Sequence, residues 1–153
     1  MTVIGLGNPA MGDDGVGIEI AESLRDTMRR EGWLGNVDVI SAGEDAVLAG
    51  ACLAEGNEVL LVDAVDMKHA PGTWRMFSPR DMLPGREPVG CSTHALSLAG
   101  VIDLARALGC ADRLRILGIQ VGDVRPGRSL SPRVKESVPA VLARIREEVE
   151  ALS

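Results

Sequence analysis

Residues 59–62 read V-L-L-V, four apolar side chains in succession that leave no polar face for solvent. A strand of that kind needs cover on both faces, which a parallel sheet lined by helices supplies. The rest of the chain repeats the theme. Short apolar runs at 3–6, 37–40 and 113–119 alternate with segments of helical periodicity, and that alternation is the mark of a parallel sheet between helices. The predicted fold class is α/β: a three-layer sandwich, with a twisted, mainly parallel sheet flanked by helices on both faces. At 153 residues the chain fits one domain, 1–153, around a sizeable core.

Helix 1 is predicted to start near Gly15. Val16, Ile20, Leu24 and Met28 recur at helical spacing, Glu22, Arg25, Asp26 and Arg29 decorate the other side, and Gly32 and Gly35 end it. Residues 44–54 are a helix rich in Ala and Leu, and 94–108 are apolar almost all round, as a buried helix is. Ser131 and Pro132 form an N-cap and first-turn pair for a last helix, which Pro139 is predicted to kink. Between Met67 and Thr93 the pattern changes: Pro71, Pro79, Pro84 and Pro88 punctuate a stretch in which only 73–77 suits a short strand, at an edge. Long irregular segments in compact domains are often functional.

Charge and composition exclude several classes. A formal net charge of -6 and a pI near 4.9 argue against a surface built on nucleic-acid phosphates. No segment approaches the roughly 18 consecutive apolar residues of a membrane span, and the N-terminus lacks a basic stretch followed by a signal-like apolar run. The expectation is a cytoplasmic protein with neither nucleic acid nor membrane as partner. Cys52, Cys91 and Cys110 are widely spaced, with no C-x-x-C pair, and read as reduced thiols rather than a disulfide framework or a zinc knuckle.

The chemistry concentrates at predicted strand ends. In open parallel sheets, ligands bind outside the carboxyl ends of the strands. Asp13 and Asp14 lie in the glycine-rich loop after the first strand, Asp63 is expected directly after the third, Gln120 after the run 113–119, and His94 at the start of a helix. Two carboxylates and an imidazole make a three-ligand site for a divalent metal such as zinc or nickel, with positions left for substrate or water. Each residue also has a plainer reading. Asp13 or Asp14 suits the cap of helix 1, Asp63 suits the start of a turn, Asp66 a solvated loop, and His69 a structural place beside Pro71. His94 suits an ordinary helix start capped by Ser92 or Thr93, and Gln120 a backbone hydrogen bond. Cys91 with His94 is a rival nucleophile–base pair, set against a small buried thiol.

Seven motifs then fall together in order: G-x-G-N at 5–8, G-D-D-G-V-G at 12–17, V-D-A-V-D at 62–66, P-G at 71–72, S-T-H-A-L-S-L at 92–98, G-I-Q at 118–120 and L-S-P at 130–132. Across nearly its whole length the sequence resembles the hydrogenase maturation endopeptidases, which trim the C-terminal extension from the large-subunit precursor of nickel-iron hydrogenases. The resemblance implies a mainly parallel sheet between helices and a catalytic metal site on Asp14, Asp63 and His94. It also implies that the metal is nickel presented by the precursor, zinc or cadmium being able to replace it in a crystal, and that cutting follows nickel insertion. The hydrogenase large-subunit precursor is the implied partner, and the segment 67–93, which borders the expected site and has little regular structure, is the candidate to contact it. One departure stands out. Many members carry an aspartate in a D-x-G-T segment after the second strand, where this chain has Ser41-Ala42-Gly43-Glu44, leaving Glu44 as the acid to stand in.

Other classes remain. A metal-sensing assembly factor without catalytic activity would use the same ligands. The opening G-L-G-N-P also resembles peptidyl-tRNA hydrolases, but no T-R-H-N-like segment follows it. A nucleotide binder would want G-x-G-x-x-G or a P-loop lysine, and neither is present.

Overall fold

A computed structural model of the chain describes residues 1–32, 36–81 and 98–152. Five strands form one sheet: β1 (Thr2–Leu6), β2 (Asp38–Gly43), β3 (Val59–Val65), β4 (Trp74–Phe77) and β5 (Leu114–Gln120), in the order β2-β1-β3-β5-β4. The first four in that order run parallel, and β4 closes the edge antiparallel to β5. Every residue of β3 is buried, as its unbroken apolar run requires.

Helices cover both faces. α1 (Val16–Glu31) and α4 (Pro132–Ala151) bury Ile20, Leu24, Val141 and Ile145 against Val3, Leu60 and Leu117. α2 (Val47–Ala54) and α3 (Leu98–Ala107) bury Leu53, Val101 and Ile102 against Ile4, Leu61 and Ile116 on the opposite face. Each fully buried Leu or Ile contributes about 1.5–3 kcal/mol, so the two apolar layers fix which way every strand faces. The three-layer α/β prediction holds. Among the described residues, no helix is long and apolar enough to cross a membrane.

Differences from the sequence reading are local. β3 extends three residues beyond 62, so Asp63 lies inside the strand rather than after it. β2 begins and ends later than expected and takes in Ser41, Ala42 and Gly43. α2 starts at Val47 rather than at Glu44. The predicted start of the third helix at His94 lies outside the described residues, as does Gly35.

The strand order places a topological switch between β1 and β3. From β1 the chain goes outward to β2 and then returns to the other side as β3, and at such a reversal the connections leave a crevice beyond the carboxyl ends of the two strands.

Candidate active site at the switch point

Two glycines let the first turn of α1 sit directly on the sheet. A Cβ on Gly5 would stand 2.1 Å from the Gly17 carbonyl oxygen, and one on Gly17 would stand 2.2 Å from that of Leu6 and 2.4 Å from that of Val62. Asp14 lies three residues before Gly17 and Asp63 immediately follows Val62, so this contact sets both acids at the switch between β1 and β3.

Each acid is oriented by backbone donors. Asp14, half-buried in the 3-10 segment Pro9–Gly15, accepts from Asn8 N at 3.0 Å through Oδ2. Asn8 in turn starts that segment by accepting from Ala10 N at 3.0 Å. Gly7, at φ 135, faces the main chain of Asp14 so closely that a Cβ would lie 1.9 Å from the Asp14 carbonyl oxygen. Asp63 is buried, with Oδ1 accepting from Ala64 N at 2.8 Å.

Asp13 does not cap helix 1, which begins at Gly15 with no side-chain cap. Its fully buried carboxylate turns away to the loop after β5. Oδ2 accepts from Gly122 N at 2.7 Å, Asp123 N at 2.8 Å and Ser131 Oγ at 2.8 Å, while Oδ1 accepts from Ser131 N at 2.6 Å. Ser131 occupies the N-cap of α4 as expected, but its hydroxyl goes to Asp13 instead of to the helix. Main-chain bonds complete the seam: Asp13 N donates to Asp123 O, Gly12 N to Arg128 O and Gly127 N to Ala10 O. Sequence spacing carried no sign of this pairing across more than a hundred residues; the L-S-P motif was its one trace.

Gln120 proves to be a hub. Its Oε1 accepts from Met67 N at 2.6 Å and His69 N at 3.2 Å, and its Nε2 donates to Asp66 Oδ1 at 3.2 Å and Val121 O at 3.0 Å. The segment leaving β3 is thereby hung on the end of β5, and His69 takes part through its backbone. Asp66 is more than a solvated acid: the Lys68 ammonium and backbone N–H, with Gln120 Nε2, lower its pKa to about 2. Asp123, gripped by the Arg125 guanidinium, is lowered further still.

His94, Cys91, Ser92 and Thr93 lie outside the described residues. Among the described residues no three His, Cys, Asp or Glu side chains gather as a metal site. Glu44 is exposed just beyond β2, whose last residue accepts from Gly7 N through the Gly43 carbonyl at 2.8 Å.

A family profile described as "Hydrogenase maturation protease" matches residues 18–148. The chain belongs to the hydrogenase maturation protease family. It is accordingly a hydrolase, a protease. Relatives agree along the chain: it is 32% identical over 141 residues to the Hydrogenase 3 maturation protease of Escherichia coli K12, covering 92% of this chain and 85% of that one. It is 29% identical over 157 residues to the Hydrogenase 2 maturation protease of the same bacterium, covering 98% and 93%. A crystal structure of a NiFe hydrogenase maturation protease from Thermococcus kodakarensis superposes with a TM-score of 0.75 at 24% identity, covering 97% of this chain and 91% of that one. In this protease the family fold therefore presents Asp14 and Asp63 at its switch point.

Proposed function

We propose that this protease removes the C-terminal extension of a nickel-iron hydrogenase large-subunit precursor, and that it does so after nickel has been inserted. The observation that carries the reading is the pairing of Asp14 and Asp63 at one crevice, each carboxylate oriented by a backbone N–H. Oxygen donors held in this way suit a divalent cation presented from outside. In the reading, nickel arrives as part of the substrate, and Asp14, Asp63 and His94 are the side chains that meet it. A bound divalent ion polarises a carbonyl or activates water.

The chain's own residues supply recognition and orientation. The half-buried Asp14 gives the crevice an accessible anion, and buried Asp63 adds a second from the floor of the sheet. Buried free thiols at Cys52 and Cys110 agree with work in a reducing compartment such as the cytoplasm.

The test is to incubate the purified protein with the cognate precursor, nickel-loaded and nickel-free, and to follow the precursor's C-terminal mass. Loss of a short C-terminal peptide from the loaded form alone is the expected result. Equal cutting of both forms would remove the nickel requirement, and no cutting of authenticated loaded precursor would favour a metal-sensing assembly factor without protease activity on this substrate.

A further inference from the structure

We propose that Asp13 and Ser131 form a clamp that positions Asp14 for processing, with Asp13 itself touching neither substrate nor metal. This deepens the reading above and rests on Asp14 being one of the acids that act. Asp13 and Asp14 are adjacent in sequence, yet one carboxylate is wholly buried and the other half-exposed. Four donors converge on the buried one, from Gly122, Asp123 and twice from Ser131, and among the described residues no Lys or Arg pairs with it.

An anion held by dipoles alone depends on their placement. Each donor is fixed to the main chain or to a side chain at the start of α4, so together they define one position for residue 13. Asp14 has little freedom left. Its main chain is pressed against Gly7 on one side and tied to Asp13 on the other, so its carboxylate direction follows from where the clamp sets the turn. The turn itself needs the clamp, because Gly12, at φ 60, lies against the Asp123 carbonyl, where a Cβ would stand 2.3 Å away. Asparagine at 13 would set an NH2 group against N–H and O–H donors, which no rotation of the amide relieves.

A role confined to stability would lower the amount of folded protein and leave each folded molecule as active as before. A positioning role lowers turnover per folded molecule. The experiment compares wild type with D13N, Ser131→Ala, Ser131→Thr and Asp14→Asn on nickel-loaded hydrogenase large-subunit precursor, with kcat normalised to the folded fraction from urea melts.

The expected result is a kcat about 10-fold lower for Ser131→Ala and about 100-fold lower for D13N, since small misplacements of reacting groups cost that much. KM should stay within about 2-fold, and Ser131→Thr, which restores the hydroxyl, should process as wild type. If D13N does not fold, the Ser131 pair decides the matter. The clamp is overturned if Ser131→Ala and any folded D13N keep the wild-type kcat per folded molecule, or if they change KM alone. Asp14→Asn separates the two readings. Full turnover by that variant would sink the role of Asp14, whereas an inactive Asp14→Asn beside fully active clamp variants would sink only the clamp.

Discussion

Gly17 lies against Val62 so closely that a methyl carbon on Gly17 would stand 2.4 Å from the Val62 carbonyl oxygen. The same carbon would meet the Leu6 carbonyl at 2.2 Å, so backbone blocks it on two sides and no side chain can move to make room. Gly17→Ala should therefore lift α1 off β1 and β3 and cost about 3 kcal/mol, the upper end of the range for overpacking. Urea denaturation would measure it. A loss below about 1 kcal/mol would mean that the helix shifts freely, and that this contact does not set the spacing of the crevice.

Nickel carried by the substrate makes a specific prediction about metal removal. Protein treated with a chelator and then desalted should cut nickel-loaded precursor at the untreated rate, because in the proposed reading the ion arrives with the precursor. A fall in rate that added zinc or nickel restores would assign a metal to the protease itself.

Glu148 is buried on α4 and pairs with Arg115 of β5 and with Arg144. Removing it leaves Arg115, whose side chain is 31% exposed, without its partner. Glu148→Ala should cost about 2 kcal/mol, less than for a fully buried pair because water reaches the guanidinium. Pairing Glu148→Leu with Arg115→Met should recover most of that loss. Arg115 faces the amino half of β3, opposite Leu60, so turnover per folded molecule should not change. A large fall in kcat would contradict that separation of stability from the site.

Asp66 should titrate with a midpoint of about 2 in the folded protein, which NMR of its carboxyl carbon would read. Because the folded value lies below the unfolded value of about 3.9, the interaction stabilises the fold above that pH and is lost as pH falls toward 2. Lys68→Ala should raise the midpoint by removing the principal cause. Gln120→Glu should raise it as well, by exchanging a donor for a like charge 3.2 Å away. No change in either variant would mean that the Gln120 hub does not hold the segment after β3.

Much of this architecture was legible along the chain because its cause is local. The unbroken apolar run of β3 required cover on both faces, and the periodic stripes of α1 and α4 named the sides they bury, so class, layers and the edge position of β4 followed. The motif order singled out Asp14 and Asp63, and the carboxyl-end rule explained why residues so far apart in sequence share an edge. Strand ends were less legible: Asp63 sits inside β3 because pairing with β5 continues to Gln120, and that pairing depends on a partner strand distant in sequence.

The division of labour between the two neighbouring aspartates belonged to tertiary structure. Nothing in D-D says which carboxylate turns inward, since both suit a helix start and both carry the same charge. The choice is made by four donors that come from the loop after β5 and the start of α4, and these meet residue 13 only when the chain is folded. Sequence by itself determined the layers, the edge and the pair of acids, through patterns that act over a few residues. Folding decided that Asp13 turns inward to the loop after β5 while Asp14 stays half-exposed, because a buried carboxylate goes where donors converge, and convergence is a property of three dimensions.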